Sequence, residues 1–199
     1  MNDGKGEWTV MVFGTQQTFE VECDPTFEDN PNRRYILKIF PKDRTQIKKE
    51  LLVIMINPST ADEKKSDQTC RALLNLCDYN NYTNITICNL FSLRTSKVEE
   101  LNEKIYEAND TQNNDKLTLC IGKFNEVLCA WGKASKIKKR GDYDTRINQV
   151  YQMLNGKKLK KIGNGLVDDK YPIHPYSFSF QKNGDKYKID FEEFNLKNL

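Results

Sequence analysis

The chain has 199 residues, 38% of them hydrophobic and 30% charged, with a formal net charge of +3 and a mean hydropathy of -0.73. That length suits one hydrophobic core and would leave two separate domains cramped, so a single domain over residues 1–199 is expected. No segment approaches the ~20 apolar residues that cross a bilayer, and MNDGKGEWTV lacks the basic and apolar regions of a signal peptide, so the expectation is a cytoplasmic protein without a membrane partner.

Residues Trp8 to Cys23 alternate apolar and polar side chains and predict one or two strands around Gly14. Asp24 to Asn32 is rich in turn formers, and Arg34 to Phe40 predicts a further strand closed by Pro41-Lys42-Asp43. Residues 1–45 thus form a set of N-terminal antiparallel strands. Leu51 to Ile56 is a continuous apolar run, as in a strand covered on both faces. Cys70, Leu73, Leu74 and Cys77 predict a helix over Asp67 to Asn80. Ile85 to Phe91 is a second covered strand, Val98 to Ala108 a helix, and Asn109 to Asp115 a polar loop. Leu117 to Phe124 predicts a helix, Glu126 to Trp131 a third covered strand, Arg146 to Leu154 a helix and Leu159 to Ile162 a fourth strand. This β-α-β-α-β-α-β order calls for a mostly parallel sheet with helices on both faces. Asn183-Gly184, between alternating segments, predicts a C-terminal β-hairpin within residues 176–199.

The six cysteines are scattered without a C-x-x-C pair, which reads as core thiols rather than disulfides or metal ligands. The single histidine, His174, excludes zinc sites built on paired histidines, and no metal or other cofactor is expected. Basic residues crowd into Lys133 to Arg140 (Lys133, Lys136, Lys138, Lys139, Arg140) and Lys157 to Lys161, either solvated faces or anion contacts.

Ligands bind beyond the carboxyl ends of parallel strands, so the residues after each covered strand are the candidates. Strand one is followed by Asn57-Pro58-Ser59-Thr60-Ala61-Asp62, and strand two by Asn89-Leu90-Phe91 with Arg94 soon after. Strand three delivers Trp131-Gly132-Lys133-Ala134-Ser135, and strand four leads to His174-Pro175-Tyr176. Each has a structural alternative. Asn57 can end a strand before proline, Ser59, Thr60 and Asp62 can cap a helix, Phe91 and Trp131 can be core, and His174 can be a satisfied buried imidazole. A buried Asn89 needs hydrogen-bond partners or costs about 1–3 kcal/mol.

In order, NPSTAD with a following SDQT, then NLFSLRT, NDTQNNDKL, AWG and HPYSF resemble the family of unknown function DUF1643, over about Tyr35 to Phe178. Ile162 to Asp169 departs from that family's Leu-Gly-x-Thr-x-x-Gly stretch. More distantly the order resembles the uracil-DNA glycosylase superfamily, through Ile56-Asn57-Pro58-Ser59, Asn89, Trp131-Gly132-Lys133-Ala134 and His174-Pro175-Tyr176-Ser177-Phe178. The first motif lacks its glycine and the last its second proline. This likeness implies a three-layer α/β sandwich around a central four-stranded parallel sheet, and N-glycosidic cleavage of a nucleotide flipped from DNA by a monomeric protein. It implies that Asn57 positions the water, with Asp62 or Asp67 assisting, and that His174 stabilises the departing base. Asn89, Phe91 and Trp131 would hold the base. Ser59, Thr60, Arg94, Ser135, the Lys133 to Arg140 run, Tyr176 and Phe178 would contact DNA. Because the glycine and tyrosine of the uracil-reading motif are absent, the expected substrate is a modified base, such as a modified cytosine of phage DNA attacked in host defence. The alternative is a nucleic-acid or nucleotide binding module on the same scaffold without chemistry.

Overall fold

The computed structural model describes residues 4–102, 110–178 and 184–195. The first two strands, β1 (Lys5–Val12) and β2 (Thr15–Asp24), form an antiparallel hairpin closed by Phe13 and Gly14. Both turn residues have positive φ, 46° and 80°, the combination whose twist matches the flanking strands. β3 (Ile36–Pro41) pairs antiparallel with β2 and then with β5 (Tyr82–Asn89). β4 (Lys49–Met55) lies parallel to β5 on one side and to β6 (Glu126–Cys129) on the other, β7 (Lys158–Ile162) follows parallel, and β8 (Phe191–Glu193) closes the edge antiparallel.

This arrangement corrects the expected central, mostly parallel four-stranded sheet. The described residues form one eight-stranded mixed sheet, ordered β1-β2-β3-β5-β4-β6-β7-β8, and four of its seven pairings are antiparallel. The physical reason lies in β3. Its Leu37 and Ile39 are fully buried opposite Ile87 and Ile85, so the N-terminal strands continue the sheet and share its core instead of decorating it. Periodicity shows that such a strand is covered but not which neighbour covers it.

The expected C-terminal hairpin is also corrected. Asn183 lies outside the described residues, but Gly184–Tyr187 is a 3-10 turn, and β8 pairs with β7 instead of a preceding hairpin partner. Asn80 draws this segment across: its Nδ2 donates to the Ile189 carbonyl (2.8 Å) and its Oδ1 accepts from Phe191 N (2.7 Å), which stacks Phe191 on Tyr82.

Helix α1 (Gln68–Tyr79) covers one sheet face, burying Leu73, Leu74 and Leu76 against Trp8, Val53 and Ile87. Helices α2 (Thr111–Lys123) and α3 (Arg140–Met153) cover the other, packed with Leu52, Ile54 and Leu90. Helix α2 starts within the expected polar loop, because Asp110 caps it by accepting from Asn113 N (2.6 Å) and Asn113 is itself buried. Of the helix expected over Val98 to Ala108, Val98–Glu100 is a 3-10 turn and residues 103–109 lie outside the described part. All six cysteines are buried and free of disulfides. Among the described residues, no helix is long and apolar enough to cross a membrane.

Candidate functional site

The chain passes from β4 to β5 on one side, while β6 lies on β4's other side. This is a point where strand order reverses, and crevices open beyond the carboxyl ends of strands at such points. A cavity of about 920 Å³ sits there, walled by the residues leaving β4 and β6, by the start of α1 and by the loop carrying His174.

Asn57 leaves β4 into this cavity and is held firmly. Its Nδ2 donates to the carbonyls of Thr95 (2.8 Å) and Pro58 (2.7 Å). With the nitrogen spent on two carbonyls, Oδ1 is the atom left to accept a hydrogen bond from a ligand or water. His174 forms another part of the wall. Its Nδ1 accepts from Tyr176 N (3.2 Å), and burial pushes the imidazole from 6.5 down to about 4, with Asp67 opposing weakly. The ring is therefore neutral at pH 7 and carries its proton on Nε2, as a donor.

That shift has a sign that can be tested. Above pH 6.5 the imidazole is neutral in both folded and unfolded chains; below it the unfolded chain takes up a proton that the folded one refuses until about pH 4. Stability is therefore lost as pH falls from about 6.5 to about 4, by on the order of 3 kcal/mol from this group. Urea unfolding of the parent and of His174→Gln between these pH values should show a shallower decline in the variant.

Trp131 and Gly132 follow β6. Trp131 is 1% exposed, packs edge-on against Phe194 at 6.0 Å, and its buried Nε1–H has no acceptor among the described residues although the residue lines the cavity. Gly132 has φ +71°, and a Cβ there would come within 3.0 Å of His174 Cβ. Gly132→Ala should cost about 1–2 kcal/mol from the left-handed backbone alone and push His174 aside, which thermal unfolding and the His174 ring resonances would report. Tyr143 on α3 fixes this corner by donating its hydroxyl to the Gly132 carbonyl (2.7 Å).

Lys133, Ser135, Lys136, Ser59, Thr60 and Tyr176 also line the cavity. Lys133 pairs with Asp168 (2.5 Å) and Lys136 with Glu99 (3.2 Å), both partly exposed, so each is a weak, screened pair. Altogether five basic and two acidic side chains face the cavity.

Other expected site residues lie elsewhere. Asp62 accepts from the amides of Lys64 and Lys65 (both 2.8 Å) and does not line the cavity; of the two aspartates it is Asp67 that lines the wall, capping α1 through Cys70 N (2.8 Å) and accepting from Ala61 N (3.3 Å). Asn89 is fully buried beside Met55, neither side-chain amide atom is hydrogen-bonded among the described residues, and it does not reach the cavity surface. Phe91 is core, stacked on Tyr143 at 6.4 Å, and Phe178 is core under α1. Arg94 is turned inward onto Ala61 O (3.0 Å), Arg33 O (3.2 Å) and Cys23 Sγ (3.3 Å), and burial lowers its pKa. Arg140 donates to the Lys133 and Ala134 carbonyls and lies over the Tyr143 and Tyr171 rings. Lys138 and Lys139 are exposed outside the cavity.

A family model described as "Protein of unknown function (DUF1643)" matches residues 34–176. The chain belongs to the DUF1643 family. The DUF1643 segment begins at Arg34 and ends at Tyr176, both cavity residues, and it contains the whole cavity lining except Ser177. No curated protein and no solved structure matches the chain. Neither comparison shows a similarity to the uracil-DNA glycosylase superfamily. Sequence reasoning missed Arg34, Thr69 and Thr95 in this DUF1643 cavity. Nothing local marks Arg34; it reaches the site because β3 pairs with β5, a contact distant in sequence.

Proposed function

We propose that the cavity accepts a nucleotide flipped out of DNA and hydrolyses its N-glycosidic bond, releasing a modified base. The observation that carries this reading is the pairing, in one cavity, of a neutral His174 bearing its proton on Nε2 with an Asn57 whose Oδ1 is left as an acceptor. Water held by Asn57 Oδ1 adds to the anomeric carbon, and the glycosidic electron pair leaves with the base. His174 Nε2–H stabilises the departing base by a hydrogen bond, and the proton lost by the water ends on the base. A fixed donor of this kind needs no reorganisation as charge develops. The excess of basic side chains around the mouth favours the phosphates of a DNA strand. The departures in the uracil-reading motif favour a base other than uracil, such as a modified cytosine of phage DNA, with host defence as the setting.

The test is incubation with DNA containing uracil, hydroxymethylcytosine or glucosylated hydroxymethylcytosine, followed by detection of alkali-labile abasic sites. Abasic sites on a modified-cytosine substrate are expected; folded protein that produces none on any substrate would sink the proposal.

One observation favours a second reading, a binding module. Both carboxylates in the wall are engaged, Asp67 by two backbone amides and Glu99 by Lys136, which leaves no unengaged wall carboxylate as a general base among the described residues. DNA binding without turnover is its expected result.

A further inference from the structure

Arg34 is 1% exposed, yet it forms part of the cavity wall. Its Nη1 donates to the Ala61 carbonyl (2.6 Å), while Nε has no partner and Nη2 makes no hydrogen bond among the described residues. Among the described residues it forms no salt bridge with a carboxylate; Glu63, which with Arg34 acts electrostatically on the Cys23 thiol, is likewise buried with neither oxygen hydrogen-bonded. A buried guanidinium with most of its fork unused is costly unless an anion completes it.

The N-terminus of α1 stands beside it. Ala61 joins the two, since its carbonyl accepts from Arg34 and its N–H donates to Asp67, the α1 cap. Thr69 in the first turn also lines the cavity, and neither its amide nor its hydroxyl is hydrogen-bonded within the described residues. A 12-residue helix directs its positive end and the Thr69 N–H at this spot, while the Cys70 and Arg71 amides are taken by Asp67.

We propose that Arg34 and the first turn of α1 form a phosphate-binding subsite inside the cavity, one that receives a terminal phosphate monoester. Guanidinium fork, helix amide and hydroxyl are the donors that suit a tetrahedral oxyanion. A terminal monoester is the fitting source because Arg34 is recessed, where a dianionic end group reaches more readily than a bridging diester. The subsite does not depend on turnover, so it stands or falls separately from the glycosylase reading.

The experiment titrates inorganic phosphate into the full-length protein while following the Arg34 Nε–H and Thr69 amide resonances. Saturable shifts of both are expected; shifts confined to exposed lysines such as Lys138 and Lys139, or none, would overturn the proposal. This readout uses the unaltered chain, so it survives if Arg34→Gln fails to fold. In a second arm, a short single strand of DNA with a 5′-phosphate should bind about tenfold or more tightly than the same strand with a 5′-hydroxyl, and folded Arg34→Gln should erase that difference. Equal affinities for the two strands in the parent would refute the terminal-phosphate assignment.

Discussion

On the glycosylase reading proposed above, His174→Ala is expected to lower base excision by about 10²–10³ while leaving DNA binding nearly unchanged, the size of effect seen when one preorganised donor to a developing anion is removed. The reasoning is geometric. Tyr176 N occupies Nδ1, so the neutral ring has one proton, on Nε2, and no other imidazole exists in the chain to replace it. Because protonation occurs only near pH 4, excision by the parent should show no inflection near pH 6.5. Single-turnover assays with parent and variant, beside a DNA-binding titration, would measure both. A variant that keeps turnover within about tenfold would remove His174 from the chemistry.

Trp131→Ala is expected to reduce the unfolding free energy by about 3–5 kcal/mol, the range for truncating a large buried aromatic. Trp131 is among the largest fully buried side chains, and its contact with Phe194 ties β6 to the segment that follows β8. Urea unfolding should show a lower midpoint with an unchanged slope. A loss below about 1 kcal/mol would mean that the indole is not part of the packed wall but is held for a ligand alone.

Strands β4, β5, β6 and β7 and helix α1 were legible one by one, because each shows a covered apolar run or a clean period, as in Leu51 to Ile56 and Cys70 to Cys77. The sheet as a whole was not. Pairing of β3 with β5 and of β8 with β7 depends on contacts distant in the chain, which leave no local period. For the cavity, the strand-end rule located Asn57, Trp131 and His174, since it follows from chain direction alone. It overreached at Asn89 and Phe91, which leave the same strand but turn into the packed interior. From sequence, Asp62 and Asp67 stand as alternatives for the carboxylate that assists the water; only backbone geometry separates the one that closes a local turn from the one that caps α1.

The loop from Ala61 to Glu63 is clamped from several directions. Ala61 O accepts from both Arg34 and Arg94, and Asp62 O accepts from Trp8 Nε1 at 3.0 Å. The chain has two tryptophans, and the other, Trp131, lies in the cavity wall itself. One indole thus lies in the chamber wall and the other holds the loop whose Ala61 carbonyl binds the wall residue Arg34, so occupancy is expected to change the intrinsic fluorescence chiefly through Trp131.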